Sequence, residues 1–149
     1  MNKILLIFFI FLLGCGYQPL YKKNSAKNLE FYNVITSGDE NISKRIIDNL
    51  NIEEDKNNNT LNSLKLISQL KIEETSKDLK GEVKTYRLSL IVEVFEIKNE
   101  EVIKTRKFVE TFSYNNKDSK LKLVEYENKI KKIMINRISG KITFYLTLL

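Results

Sequence analysis

Histidine is absent from these 149 residues, and cysteine occurs once, at position 15. That pair of facts removes the usual general base, the commonest metal ligand and any Cys–His nucleophilic pair. Carboxylates are plentiful, but they fall in runs such as Glu53-Glu54-Asp55 and Glu100-Glu101, which are usually solvated. The sequence has no Gly-rich phosphate loop and no metal-ligand spacing. We therefore expect no catalytic residues, no cofactor and no metal. The side chain left for covalent chemistry is the Cys15 thiol. Leu12-Leu13-Gly14 precedes it, with Leu12 three residues ahead and the small Gly14 leaving room at a cleavage point. A thiol can take a diacylglyceryl group as a thioether. The competing reading is a free buried thiol, since a lone cysteine closes no intrachain disulfide.

The residues before Cys15 favour acylation. Lys3 supplies a positive start, and Ile4-Leu5-Leu6-Ile7-Phe8-Phe9-Ile10-Phe11-Leu12-Leu13 is an unbroken apolar run. Ten residues suit the apolar region of a bacterial signal peptide. As a helix the run would reach only ~15 Å, about half of a bilayer's hydrocarbon core, so it is too short for a permanent span. Residues 1–14 thus read as a signal peptide, and Leu12, Leu13, Gly14 and Cys15 resemble a lipobox, the pattern read by prolipoprotein signal peptidase. The mature chain would begin at Cys15, be lipid-anchored and face the periplasm. Gly16 rather than Asp follows the cysteine, which points to the outer membrane.

The formal charge is +6, and Lys, Asn and Ile are used heavily, as in Asn57-Asn58-Asn59 and Lys129-Ile130-Lys131-Lys132-Ile133. AT-rich codons account for part of that lysine content. A basic surface still favours acidic partners: nucleic acid, anionic lipid or phosphorylated glycolipid. Export removes nucleic acid.

Residues 15–28 read as a lipidated tether, and 29–149 as one domain, with no Pro- or Gly-rich linker to divide it. Leu29 to Ile35 is aromatic and β-branched, a first strand. Ser37-Gly38-Asp39-Glu40 has the spacing of a capping box, and Ile42, Ile46 and Leu50 follow as one helical stripe. Residues 53–62 read as a polar loop. Leu64, Leu66, Leu70 and Ile72 alternate with polar residues; so do Tyr86, Leu88, Leu90, Val92 and Val94, with Thr85, Arg87, Ser89 and Glu93 on the other face. Lys98-Asn99-Glu100 makes a turn, and residues 101–114 return as a strand. Its adjacent apolar pairs Val102-Ile103 and Phe108-Val109 call for a bulge or a two-sided face. From Ser119 the period lengthens through Leu123, Tyr126, Ile130, Met134, Ile138, Ile142 and Tyr145, a long helix weakened at Gly140. The order β-α-β-β-β-α predicts an α+β two-layer sandwich: a four-stranded mixed sheet with two helices on one face.

Three segments resemble a family. Cys15-Gly16-Tyr17-Gln18-Pro19-Leu20-Tyr21 is similar to the opening of the LPS-assembly lipoproteins, the LptE family, of alphaproteobacterial type. Lys84-Thr85-Tyr86-Arg87-Leu88-Ser89-Leu90 resembles that family's central strand. Phe112-Ser113-Tyr114-Asn115 with Glu125-Tyr126-Glu127 resembles its last strand end and the head of its final helix. The loop over 57–62 and the lysine density depart from its GC-rich members. The resemblance implies a lipoprotein on the periplasmic face of the outer membrane that plugs the lipopolysaccharide-translocating β-barrel (LptD type) and assists lipopolysaccharide assembly. The alternative is a free-standing periplasmic lipoprotein that binds an anionic glycolipid or peptide. Direct lipopolysaccharide binding would use strand cations: Lys84, Arg87, Lys104, Arg106 and Lys107, with Arg87 and Lys104/Arg106 sharing one exposed face if the register permits. Against this stands a plain solvated sheet face.

The lipobox yields a direct test. Cys15→Ser is expected to abolish incorporation of labelled palmitate and leave the precursor uncleaved; a mutant that still labels would refute acylation at this site.

Overall fold

The structure is a computed structural model describing residues 29–148. The segments read as signal peptide (1–14) and tether (15–28), with Cys15 and its lipobox, lie outside the described residues, as does Leu149. In chain order the elements are β1 (Leu29–Phe31), β2 (Val34–Gly38), α1 (Glu40–Leu50), β3 (Ile52–Glu54), β4 (Ser63–Lys77), β5 (Val83–Lys98), β6 (Glu101–Asn115) and α2 (Lys120–Thr147).

Alternation builds the sheet. β4, β5 and β6 pair antiparallel, and β2 adds to β4 in parallel, giving the order β2-β4-β5-β6. One face of these strands presents Leu64 and Leu66, then Leu88, Leu90, Val92 and Val94, all essentially inaccessible to water. Both helices pack on that face. α1 contributes Ile42, Ile46 and Leu50, and α2 contributes Ile130, Met134, Ile135, Ile138, Ile142 and Leu146. The result is the expected α+β sandwich with a mixed four-stranded sheet. Neither helix covers the opposite face.

Several local expectations change. The first strand is broken: Tyr32 and Asn33 separate β1 from β2, and β1 pairs instead in parallel with β3. β3 falls at the start of the stretch read as a loop, because Ile52 is half-buried against the core. Ser37 does not cap α1. It lies within β2, and Asp39 is the cap, its Oδ1 accepting from the Ile42 backbone N–H at 3.1 Å. Gly38 makes the corner possible, with φ +84°, and an added Cβ would sit 2.0 Å from the Ser68 carbonyl oxygen. Below that corner Ser43 and Ser68 share a buried hydrogen bond of 2.7 Å, and the Ser68 hydroxyl lies 2.9 Å from the Asp39 carbonyl.

The irregular strand resolves into both features expected of it. Glu96 pairs with Lys104 but Ile97 with Val102, so Ile103 is the extra residue of a bulge. Farther along, Phe108 packs towards the helices while Val109 is 47% exposed on the open face. α2 runs unbroken through Gly140, whose Cα has open space around it.

The start of α2 is fastened to the end of β6. The Tyr114 hydroxyl donates to Glu127 Oε1 at 2.6 Å, and its ring stacks on Tyr86 and meets Tyr126 edge-on. Burial, and then the Glu127 carboxylate, push the Tyr114 phenol above its ordinary value. A raised folded-state value means that ionisation opposes folding. The stability carried by neutral Tyr114 is therefore complete below about pH 10, the ordinary tyrosine value, and is lost as pH rises past it.

Two stability measurements follow. In denaturant melts, Leu90→Ala is expected to cost roughly 2–5 kcal/mol and Gly38→Ala roughly 2 kcal/mol or more, whereas Val109→Ala costs within about 0.5 kcal/mol. Between about pH 9 and 11 the parent chain should lose more stability than Tyr114→Phe; identical alkaline profiles would contradict the buried phenol's role.

Candidate functional site

The register distributes the five candidate cations over three places. Lys84 stands near the β4–β5 turn, paired with Asp78 at 3.0 Å and near Glu82 at 3.7 Å. Those two acids hold its ammonium above the ordinary lysine value, Asp78 contributing most. Arg87 lies on the open face opposite Glu73 of β4, and it helps, after Lys71, to lower the Glu73 carboxyl. Lys107 is on the open face too, bound to Glu93 at 3.2 Å. Lys104 and Arg106 pair with Glu96 and Val94, which places them on the helix side. The shared exposed face for Arg87, Lys104 and Arg106 is therefore contradicted. Arg87 is odd and the other two are even along unbroken stretches of one ladder, so the pleat sends them to opposite sides.

The open face has its own character. Ile67, Ile91 and Phe95 are half-buried along its middle, and Ile35 and Val109 are exposed at its margins. Lys65, Lys71, Arg87, Glu93 and Lys107 surround them, with the Lys65 ammonium 6.0 Å from the centre of the Phe95 ring. It is an apolar strip in a frame of both charges, with no convergent catalytic geometry.

The structure also makes a groove that the sequence reading missed. Where the last turns of α2 pass β6, the edge strand among the described residues, a space of about 850 Å³ opens. Phe108, Val109, Phe144, Tyr145 and Leu148 supply apolar surface, and Arg106, Lys107, Arg137 and Lys141 line it as well. The Phe108 and Tyr145 rings meet edge-on at 5.8 Å. Lys141 is matched by Glu110, and Lys107 by Glu93. Among the described residues, Arg106 and Arg137 make no ion pair or hydrogen bond. The available signal was the composition of the C-terminus: beyond Glu127 there are five cations and no acid.

One charge near this groove is unusual. Glu96 is 5% exposed, and its Oε1 has no hydrogen-bond partner. It faces Lys104 across the ladder without forming an ion pair. Tyr145 is close enough to register it. Burial first, then the Glu96 charge, raise the Tyr145 phenol, and Arg106 partly offsets them. Among the described residues, no cluster of acids, Cys or His is suited to hold a metal, and no helix is long and apolar enough to cross a membrane.

No protein-family model matches the sequence, and no curated protein does. Solved structures do match in fold. Rare lipoprotein B from Shewanella oneidensis superposes with a TM-score of 0.59 at 18% identity, over 77% of this chain and 93% of that one. A lipoprotein B from Nitrosomonas europaea gives 0.58 at 13% identity, over 79% and 83%. A minor lipoprotein from Acinetobacter baumannii gives 0.57 at 12%, over 80% and 90%. The chain thus shares its fold with bacterial lipoproteins.

Proposed function

We propose that this chain is an outer-membrane lipoprotein, acylated at Cys15, that associates with the lipopolysaccharide-translocating β-barrel, plugs it and assists lipopolysaccharide assembly. The observation that carries the proposal is the coincidence of two independent likenesses. The fold is shared with lipoproteins at TM-scores of 0.57 to 0.59, and the Cys15-Gly16-Tyr17-Gln18-Pro19-Leu20-Tyr21 opening resembles the LPS-assembly lipoproteins. The segments quoted for the resemblance also make physical sense together. Within the last of them Tyr114 bonds Glu127, and its ring stacks on Tyr86 of the central-strand segment.

The open sheet face suits such a partner. Barrel interiors are polar and water-filled unless plugged, and a guest with charges of both signs around a narrow apolar strip matches that lining. The role is one of binding and assembly, not catalysis. A lipopolysaccharide site built from Arg87, Lys104 and Arg106 together is set aside, because two of the three lie across the sheet from the first.

The test is co-purification of the acylated chain from outer membranes. A large β-barrel is expected in stoichiometric yield, and Ile35→Lys on the open face, outside the β6–α2 groove, should reduce that yield while changing stability by about 0.5 kcal/mol or less. Recovery of the parent chain without any barrel would refute the proposal.

A further inference from the structure

The β6 residues of the groove, Arg106 to Val109, lie in the middle of that strand, level with Thr36 to Gly38 of β2. Val34, the first residue of β2, stands in one row of the sheet with Leu64, Glu96 and Lys104. α2 finishes over the middle rows, with Tyr145 against Phe108, four residues along β6 from Lys104. At the far end is the β4–β5 turn, which holds Leu79 fully in solvent. Thirteen residues, 16–28, separate Cys15 from Leu29. They can span at most ~43–47 Å, about the length of β5, at roughly 3.3 Å per residue over its 16 residues. An acyl anchor at Cys15 therefore keeps the whole domain, the groove included, within reach of the bilayer surface.

We propose that this groove is a membrane-docking surface, seated on the anionic phospholipid headgroups of the leaflet that holds the chain's acyl anchor. Two chemistries fit that occupant. Phe144 is 66% exposed and Leu148 69%, beside the Tyr145 ring; aromatic and apolar side chains next to a polar rim are what the headgroup boundary accepts. Among the described residues Arg106 and Arg137 form no ion pair, and a guanidinium engages a phosphate through two parallel hydrogen bonds. Arg137, Lys141, Phe144 and Leu148 recur at helical spacing, so one stripe of α2 carries both kinds of group. Each cation near an anionic surface adds about 1 kcal/mol of attraction, which orients a domain that the acyl chains already hold. The inference rests on acylation at Cys15 and does not depend on the barrel.

The chain contains no tryptophan, so Phe144→Trp introduces a single fluorophore at the groove, and Leu79→Trp a control at the far end. The full acylated chain is reconstituted in phosphatidylcholine vesicles, with and without phosphatidylglycerol, that carry brominated acyl chains. With phosphatidylglycerol present, the Phe144→Trp fluorophore should shift to the blue and be quenched several-fold more than that of Leu79→Trp. Adding Arg106→Gln and Arg137→Gln, or raising the salt, should remove most of that difference. Palmitate content, measured on the same preparation, separates the two readings. A chain without palmitate overturns the anchor; an acylated chain whose Phe144→Trp fluorophore is unquenched overturns the docking. Equal quenching without phosphatidylglycerol overturns the anionic preference, and quenching that requires lipopolysaccharide reassigns the groove to that ligand.

Discussion

The inner face of β5 has to be dry on every second residue. Leu88, Leu90, Val92 and Val94 are buried between the neighbouring strands and the helices, and a slip of one residue would turn all four to water. That would expose four side chains, each worth about 1.5–3 kcal/mol when fully buried, a sum comparable to the whole stability of a small domain. The ladder therefore has one register. With it fixed, the side of every cation on β4, β5 and β6 is fixed as well, because the pleat allows no intermediate direction. The division of Arg87 from Arg106 is a consequence of core packing, whatever either residue binds.

The corner at Gly38 meets a second requirement of the same packing. α1 must leave β2 and return across β2 and β4, and the turn brings its backbone against Ser68. Gly38 tolerates both the positive φ and the close carbonyl. Asp39 then closes the first turn of α1, and the Ser43–Ser68 pair meets the hydrogen-bonding needs of the two hydroxyls buried beneath it. A glycine, an aspartate and two serines turn a parallel crossover into a compact joint.

Elements with a strong period were legible in the sequence: both helices, the three long strands, and the mixed sheet they form. Their signal is local, since alternation or a three-to-four spacing needs only one side to be buried. What was not legible depends on partners distant in the chain. β3 has three residues and exists because β1 lies beside it. The capping spacing, Ser37 to Glu40, pointed to Ser37, and it is the turn at Gly38 against the Ser68 carbonyl that makes Asp39 the cap. The relative sides of Arg87 and Arg106 required the register of two strands at once. The β6–α2 groove required knowing that α2 ends over Phe108 rather than short of it, although the acid-free stretch beyond Glu127 already marked the helix as basic.

The cations of β6 have a use that needs no ligand. Among the described residues β6 is an edge strand, 15 residues long, and a long edge invites pairing with other chains. Lys104, Arg106 and Lys107 on that edge, with the bulge at Ile103, make such pairing unfavourable, since like charges would be brought together and the ladder bent. Edge protection thus accounts for these residues on its own, and their number says little about lipid or lipopolysaccharide. It does not account for α2. Arg137 lies on a helix with no backbone edge to guard, and Phe144 and Leu148 expose apolar surface together along the groove, the grouping that marks interaction sites. The case that the groove has an external partner therefore rests on the helix side of it, with Arg106 as the strand residue whose charge α2 leaves unmatched.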